Sequence, residues 1–298
     1  MNRPDWLTVD VPNAESLDNM KKLLEVGRLH TVCEGADCPN IGECFASKTC
    51  TFMILGNVCT RNCRFCAVPH GRPQPVDPSE PEAVALTALQ LGLRHVVVTS
   101  VTRDDLDDGG ADHFAATVRS IRATVPGVSI EVLIPDFKGS GDALRKVIAA
   151  GPDIINHNVE TVPRLYPSVR PQARYDRSLQ LLERVSRAGI LAKSGLMLGL
   201  GENIEEIVQV FKDLRQVDCD ILTLGQYLSP SPEHHPVIAY IHPETFVMLQ
   251  QKAYSLGFPE VSAGPLVRSS YHAAQSLASI KVKKTGKGRI IDGQGRQI

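Results

Sequence analysis

The sequence lacks any long hydrophobic run and any strong excess of charge of one sign. Within its 298 residues, no apolar segment approaches the roughly 20 residues needed to span a bilayer. Residues 1–10 also lack the basic-then-apolar pattern of a secretion signal. The formal net charge of −1 gives no overall basic field of the kind that favours nucleic acid. These absences predict a cytoplasmic protein with no nucleic-acid and no membrane partner.

Cysteine is concentrated in one part of the chain. Seven of the eight cysteines fall between Cys33 and Cys66. Because no export signal is visible, disulfides are not expected, and the clustered thiols are predicted to be metal ligands. Two cysteines, Cys50 and Cys219, stand outside the two groups of three described next, and we interpret them as small buried apolar side chains.

The first group of three is Cys59, Cys63 and Cys66, with the spacing C-x3-C-x2-C directly after the apolar run 51–56. Three thiolates within eight residues can converge on one soft metal centre, and thiolate is the preferred ligand of iron–sulfur clusters. Three ligands would leave one iron of a four-iron cluster open to a small molecule. The alternatives are a zinc site that lacks its fourth ligand and a set of buried thiols. Phe65, an aromatic residue before the last cysteine, favours the iron–sulfur cluster.

The second group of three is Cys33, Cys38 and Cys44, with the spacing C-x4-C-x5-C. Gly35, Pro39 and Gly42 lie between these cysteines, and we expect an irregular loop that can wrap an inorganic core. A structural zinc site is the alternative.

From residue 51 onward, short apolar runs alternate with helical patterns, which is typical of βαβ units and a parallel sheet. The predicted strands are 51–56, 95–101, 129–135, 154–160, 191–200 and 221–228. The predicted helices between them are 80–91, 112–124, 142–149, 176–188 and 204–216. Six such repeats predict an α/β fold, a partial (β/α)6 TIM-type barrel with N- and C-terminal extensions.

Three regions follow from this pattern. Residues 1–48 form an N-terminal extension with a helix at 16–29, residues 49–258 form the barrel with a last helix at 243–256, and residues 259–298 form a C-terminal extension. The stretch 281–298 is basic, glycine-rich and poor in apolar residues, and we expect a mobile tail there.

Polar residues at the predicted strand ends are further candidates, because the chemistry of such barrels lies at the carboxyl ends of the strands. Thr99 lies near the end of the second strand, and Asn158 and Glu160 close the fourth. Buried amides and carboxylates need partners, so we interpret them as ligand contacts, although a solvated loop mouth would also satisfy them. The segment 195–202 lacks the glycine spacing and the Lys-Ser/Thr pair of a phosphate loop.

The motif at 59–66 resembles the signature of the radical S-adenosylmethionine (SAM) superfamily. The resemblance implies a [4Fe–4S] cluster whose open iron chelates SAM, and a one-electron cleavage of SAM that yields a 5′-deoxyadenosyl radical. The segment 195–202 resembles the one that packs against adenine in that superfamily, and the polar residues of the fourth strand resemble those that bind ribose. The implied cofactor contacts are Phe65, Thr99, Asn158, Glu160, Met197 and Gly199.

The run Arg268-Ser269-Ser270-Tyr271, together with Cys33, Cys38 and Cys44, resembles the lipoyl synthase family over nearly the whole chain. The resemblance implies that these cysteines and a serine of the run hold an auxiliary [4Fe–4S] cluster, which donates the sulfur. We assign the ligand to Ser270, because it matches the family's ligand position and because adjacent side chains of an extended segment point to opposite sides.

The same resemblance implies the substrate and the partners. Sulfur would enter at C6 and C8 of an octanoyl group on a lysine of a lipoyl carrier domain, at the expense of two SAM molecules. The implied carriers are 2-oxoacid dehydrogenase E2 subunits and the glycine cleavage H protein, and the implied reductant is a ferredoxin or flavodoxin. Two alternatives are a relative that acts on a free small molecule, as biotin synthase does, and a zinc-binding interaction module without enzymatic activity.

Overall fold

The fold is a single sheet of parallel strands flanked by helices. The computed structural model describes residues 3–8, 14–35, 38–46, 50–271 and 273–287. Its strands lie in chain order: β1 (His30–Thr31), β2 (Thr51–Ile54), β3 (His95–Ser100), β4 (Ser129–Leu133), β5 (Ile154–Asn156), β6 (Leu191–Leu198), β7 (Ile221–Gln226) and β8 (Glu260–Ala263). Each strand from β2 onward pairs in parallel with the next, whereas β1 pairs with β2 in antiparallel. The predicted α/β fold of partial-barrel type is confirmed.

Helices follow the strands of the barrel. Within the described ranges they are α1 (Ala14–Val26), α2 (Val32–Gly35), α3 (Ile41–Ala46), α4 (Glu80–Leu91), α5 (Ala111–Thr124), α6 (Gly141–Ala149), α7 (Tyr166–Val169), α8 (Tyr175–Arg187), α9 (Ile204–Gln216), α10 (Pro243–Ser255) and α11 (Ala273–Lys287). The helix α9 begins with a capping box, in which the side chain of Asn203 accepts from the N–H of Glu206 and the Glu206 carboxylate accepts from the N–H of Asn203. No helix in the described part of the chain is long and apolar enough to cross a membrane.

Three predictions on local structure were wrong. The segment with the second cysteine triplet is not an irregular loop, since its described residues form the short helices α2 and α3. The mobile tail was predicted to start at residue 281, but α11 continues to Lys287. Residues 288–298 lie outside the described residues. The strand predicted at 154–160 ends at Asn156, after which Glu160 makes an isolated parallel bridge to Leu196.

The core has two parts. The larger cluster of buried apolar side chains lies between the sheet and its helices, and the smaller one contains Ile154, Ile221, Leu277 and Ile280. The first two of these residues begin β5 and β7, so α11 packs against the amino ends of these strands and leaves their carboxyl ends to the cavity described next. Inside the sheet, Lys193 on β6 donates to Glu131 on β4 at 2.8 Å. Both side chains are almost completely buried.

Candidate active site

One cavity of about 570 Å³ lies at the carboxyl ends of the barrel strands. The cysteines of the first triplet line it, and so do five of the six predicted cofactor contacts: Phe65, Thr99, Asn158, Glu160 and Met197. Strand ends from β3 to β7 contribute to its wall, as the parallel-barrel arrangement requires. The residues therefore meet in a concave site that can enclose a small molecule.

The loop of the first triplet is fixed by buried charges. Arg61, inside the motif, donates from Nε to Asp104 at 2.7 Å and from a terminal nitrogen to Asp136 at 2.6 Å. Burial alone would raise the pKa of Asp136, but the Arg61 guanidinium lowers it to about 2. A guanidinium paired with two carboxylates at the ends of neighbouring strands holds the loop in one position.

Backbone N–H groups surround the first thiol. The N–H groups of Arg61 and Thr102 point at the sulfur of Cys59, at 3.4 and 3.3 Å. Such donors stabilise a thiolate. Burial raises the pKa of the Cys63 thiol, and it raises that of Cys66 to about 12, so these sulfurs need a cation to become thiolates. Soft iron is a cation that thiolate ligands prefer.

A strained turn at Leu55 connects the end of β2 to the cysteine loop. Leu55 has φ of 68°, a conformation that bulky residues rarely adopt. Its N–H donates to the buried carboxylate of Glu80 at 2.8 Å, and its carbonyl accepts from Arg103 at 3.3 Å. His113 contacts the same Glu80 carboxylate at 2.7 Å. The surrounding hydrogen bonds thus hold a turn that the local sequence alone would not favour.

The polar ends of β5 and β6 form the opposite wall. Glu160 has φ of 66°, and its backbone is tied to β6 through Gly195 and Met197. Burial raises the pKa of Glu160, whereas Arg170 opposes that rise. The guanidinium of Arg170 donates to the carbonyl of Asn158 at 2.8 Å. A non-glycine residue held at positive φ beside a cavity is a feature of ligand sites.

Several buried polar atoms around the cavity have no protein partner. Among the described residues that line the cavity, these atoms are the hydroxyl of Ser100, Oδ1 of Asn158 and Nε of Arg170. A Cβ added to Gly195 would lie 2.4 Å from Oγ1 of Thr223 and 3.0 Å from Oδ1 of Asn158, so only glycine leaves this approach open. Buried donors and acceptors without partners fit a polar ligand with hydroxyl and amino groups, as SAM is.

Gly199 is the one predicted cofactor contact that does not line the cavity. Its φ is 98°, and a Cβ there would lie 2.2 Å from the carbonyl oxygen of Ala239. Its N–H donates to the Glu202 carboxylate at 2.6 Å. Gly199 therefore allows the segment after β7 to pack closely on the end of β6.

The second triplet borders the same cavity through its neighbours. Val32 and Pro39, adjacent in sequence to Cys33 and Cys38, line the cavity together with Ser269. Burial, with smaller contributions from the charges of Cys38 and Cys44, raises the pKa of the Cys33 thiol to about 12. The three thiols are therefore close enough to interact electrostatically. No group of three His, Cys, Asp or Glu side chains within the described ranges is arranged to hold a single metal ion.

The segment 264–271 is fixed against β7 and against the second triplet. A Cβ on Gly225 would lie 2.0 Å from the carbonyl oxygen of Val267, which shows how closely the segment packs on the strand. Residues 268–271 form a turn, in which Tyr271 N–H donates to the Arg268 carbonyl at 3.0 Å, and not the expected extended segment. The two serines still differ, because Ser269 lines the cavity whereas the Ser270 hydroxyl accepts from Oγ1 of Thr51 at 2.9 Å.

Comparison with known proteins agrees with this geometry. Residues 53–214 match the model of the radical SAM superfamily. The chain is 57% identical over 280 residues to the lipoyl synthase of Caldanaerobacter subterraneus, with coverage of 93% of this chain and 98% of that protein. It is 51% identical to the lipoyl synthase of Pseudomonas entomophila, with coverage of 94% and 84%. The chain belongs to the lipoyl synthase family. Neither the small-molecule alternative nor the zinc-binding module is supported.

Solved structures share the fold of this chain. Methylornithine synthase superposes with a TM-score of 0.53 at 14% identity, covering 83% of this chain and 81% of that one. Streptococcus suis SuiB bound to S-adenosylmethionine gives 0.53 at 11% identity, covering 75% and 47%. At these identities the likeness concerns the barrel alone.

Sequence reasoning missed several residues of this lipoyl synthase family site. The ion pairs of Arg61 and the contacts of Arg170 were not predicted. Arg61 lies inside the cysteine motif, and its position there was a signal that could have been used. Arg170 carries no such signal, because its proximity to Asn158 depends on the helix α7 that follows β5.

Proposed function

We propose that this chain is a lipoyl synthase, which inserts sulfur at C6 and C8 of an octanoyl group carried in amide linkage on a lysine of a lipoyl carrier protein. The observation that supports this most strongly is that a single cavity is lined by one cysteine triplet and bordered by the other. Substrate carbon placed in such a cavity lies between the two sets of thiols. Membership of the lipoyl synthase family gives the reaction its substrate.

Each triplet has its own role in this proposal. Cys59, Cys63 and Cys66 hold the [4Fe–4S] cluster of the radical reaction. Cys33, Cys38, Cys44 and Ser270 hold the auxiliary [4Fe–4S] cluster, whose sulfur is donated. When bound, the first cluster and SAM supply the radical chemistry that breaks unactivated C–H bonds. A serine oxygen is a hard ligand on iron otherwise bound by sulfur, which makes that corner of the auxiliary cluster the labile one.

The protein's own residues bind and orient the cofactor in this proposal. Phe65, Thr99, Asn158, Glu160 and Met197 contact SAM, and Gly199 shapes the adjoining turn. The unpartnered Asn158 Oδ1 and the Glu160 carboxylate are acceptors for hydroxyl and amino groups. Ser100 and Arg170 add polar groups to the lining of the same cavity.

The partners follow from the reaction. Lipoyl carrier proteins supply the substrate, and 2-oxoacid dehydrogenase E2 subunits and the glycine cleavage H protein are the carriers we propose. A ferredoxin or a flavodoxin supplies the electron. All of these reactants would be met in the cytoplasm.

The proposed function is tested by anaerobic reconstitution followed by reaction with an octanoylated carrier domain. About eight irons and a similar amount of acid-labile sulfide per chain are expected, with formation of the lipoyl group detected by mass spectrometry of the carrier. Stoichiometric zinc without visible absorption, or an octanoyl group left unchanged in the presence of SAM and reductant, would contradict the proposal.

The serine assignment has a test of its own. Ser270→Ala is expected to lose product while the radical cluster and SAM cleavage remain, whereas Ser269→Ala should retain product. An active Ser270→Ala beside an inactive Ser269→Ala would reverse the assignment. Iron content measured on both variants shows which change removes auxiliary iron.

A further inference from the structure

We infer that Thr51 is a positioning residue of the auxiliary-cluster site, which holds the Ser270 oxygen beside Cys33. The inference rests on the proposed function, in which Ser270 is a ligand. Thr51 has no part in either cysteine triplet and does not line the cavity.

Thr51 contacts both ends of the auxiliary site. It is the first residue of β2, is 5% exposed, and lies in register with Val97 of β3. Its hydroxyl donates to Ser270 Oγ at 2.9 Å, although 219 residues separate the two in sequence. Its backbone N–H lies near the sulfur of Cys33. One residue of a rigid strand thus donates to a proposed oxygen ligand with its side chain and lies near a proposed sulfur ligand with its main chain.

Two other contacts join the same segments, but neither reaches a ligand atom. Asn40 Nδ2 donates to the Leu266 carbonyl at 2.8 Å, and the Tyr271 hydroxyl donates to the Glu43 carboxylate at 3.0 Å. These contacts hold the backbone of 264–271 near the triplet. Only Thr51, among the contacts described for Ser270, acts on the oxygen itself.

The physical effect follows from the freedom of a serine side chain. A serine hydroxyl can turn among three staggered rotamers. The donor on Thr51 selects one of these rotamers, and it also occupies one lone pair of the oxygen. A hydrogen bond of this kind contributes about 1 kcal/mol, which corresponds to roughly a fivefold change in an equilibrium or a rate.

The test uses the reconstituted full chain and the rate at which a ferrous chelator removes iron. The auxiliary phase is the one that is missing when Cys33, Cys38 and Cys44 are all changed to Ala. Thr51→Val keeps the shape and the backbone N–H but removes the hydroxyl, and it should speed the auxiliary phase about fivefold. Thr51→Ser should restore the slow rate, and SAM cleavage should be unchanged in both variants. Thr117→Val, which removes another buried hydroxyl, is the matched control.

A double-mutant cycle separates positioning from a general structural effect. In the Ser270→Ala background, Thr51→Val should add nothing, because the oxygen on which it acts is gone. Equal acceleration in both backgrounds, or no acceleration by Thr51→Val alone, would overturn the inference about Thr51. If Ser270→Ala itself left the auxiliary phase unchanged, the ligand assignment in the proposed function would fail, and the inference about Thr51 with it.

Discussion

His157 is a titratable residue held uncharged inside the barrel. Its Nδ1 donates to the Ile134 carbonyl at 2.8 Å, and its Nε2 lies 2.9 Å from the Ser178 hydroxyl and accepts from it. Burial, aided by the charge of Arg170, lowers the pKa of His157 to about 4. The Ile134 carbonyl can only accept, so the neutral ring carries its proton on Nδ1.

Stability should therefore fall in mild acid. Between pH 6.5 and pH 4 the unfolded chain binds a proton at this histidine that the folded chain does not, so the free energy of unfolding decreases as the pH decreases. The contribution is on the order of 3 kcal/mol over that interval. His157→Gln should make the pH dependence shallower, as measured by urea unfolding at several pH values. The same change at exposed His70 is the control, and an equal effect of both changes would contradict this account.

At the scale of single residues, site residues could be predicted where the type of side chain and its position in the sequence both indicate a ligand site. The cysteines of the first triplet and the polar residues Asn158 and Glu160 could be selected because their residue types suit metal and ligand binding. The ion pair of Glu131 and Lys193 could not, because a charged residue in a strand does not indicate its partner two strands away. Although burial opposes it, the Lys193 ammonium keeps the pKa of Glu131 below its usual range.

Among the elements, α11 contributes buried contacts to the barrel that its sequence does not indicate. Leu277 is 4% exposed and packs with Ile280 against the first residues of β5 and β7. The Ser279 hydroxyl also donates to Glu260 at 2.6 Å. The helix follows the turn at 268–271 almost directly, so its packing fixes the position of that turn.

Leu277→Ala should lower the free energy of unfolding by about 2–4 kcal/mol, because it removes buried methyl groups and leaves a cavity. Denaturant unfolding of the chain without clusters measures this. Val247→Ala on α10, where the side chain is 52% exposed, should change stability by less than about 0.5 kcal/mol. Similar losses for the two variants would show that α11 is not packed as described.

The elements that could be predicted are those with a long periodic pattern. The helices α4, α5, α8 and α9 and the strands β3 and β7 lie within a residue or two of their predicted limits. β1 has only two residues, and β8 has a single buried apolar residue, Val261, so neither strand shows an apolar run. The helix α11 was not predicted, and its residues from 281 onward were assigned to a mobile tail because they are basic and glycine-containing. Its packing through Leu277 and Ile280 is a tertiary contact that has no local signal.

For the whole molecule, the separation of the two triplets leads to a functional prediction. Changing Cys33, Cys38 and Cys44 together to Ala should leave SAM cleavage intact and abolish sulfur insertion. Changing Cys59, Cys63 and Cys66 together should abolish both. Chromatographic assay of 5′-deoxyadenosine, beside mass spectrometry of the carrier, distinguishes the two variants. Lipoyl product from the first variant would mean that the sulfur comes from elsewhere.

The barrel and the two cysteine triplets could be predicted from the sequence, but the contacts between the N-terminal and C-terminal segments could not. Hydrogen bonds from Asn40 to Leu266 and from Thr51 to Ser270 join segments more than 200 residues apart. Such contacts leave no local pattern in the residues that make them. The position of the Ser270 oxygen is therefore a property of the folded chain alone.

The distance along the chain between Thr51 and Ser270 has a consequence for biosynthesis. At about 5–20 residues per second, a ribosome needs roughly 10–45 seconds to translate the 219 residues between them. During that time the early thiols have left the ribosome while the serine does not yet exist. A cluster delivered to the nascent chain would find three sulfur donors and no oxygen. In the proposed function, where Ser270 is a ligand, the auxiliary site is therefore complete only after the barrel between the two segments has been translated.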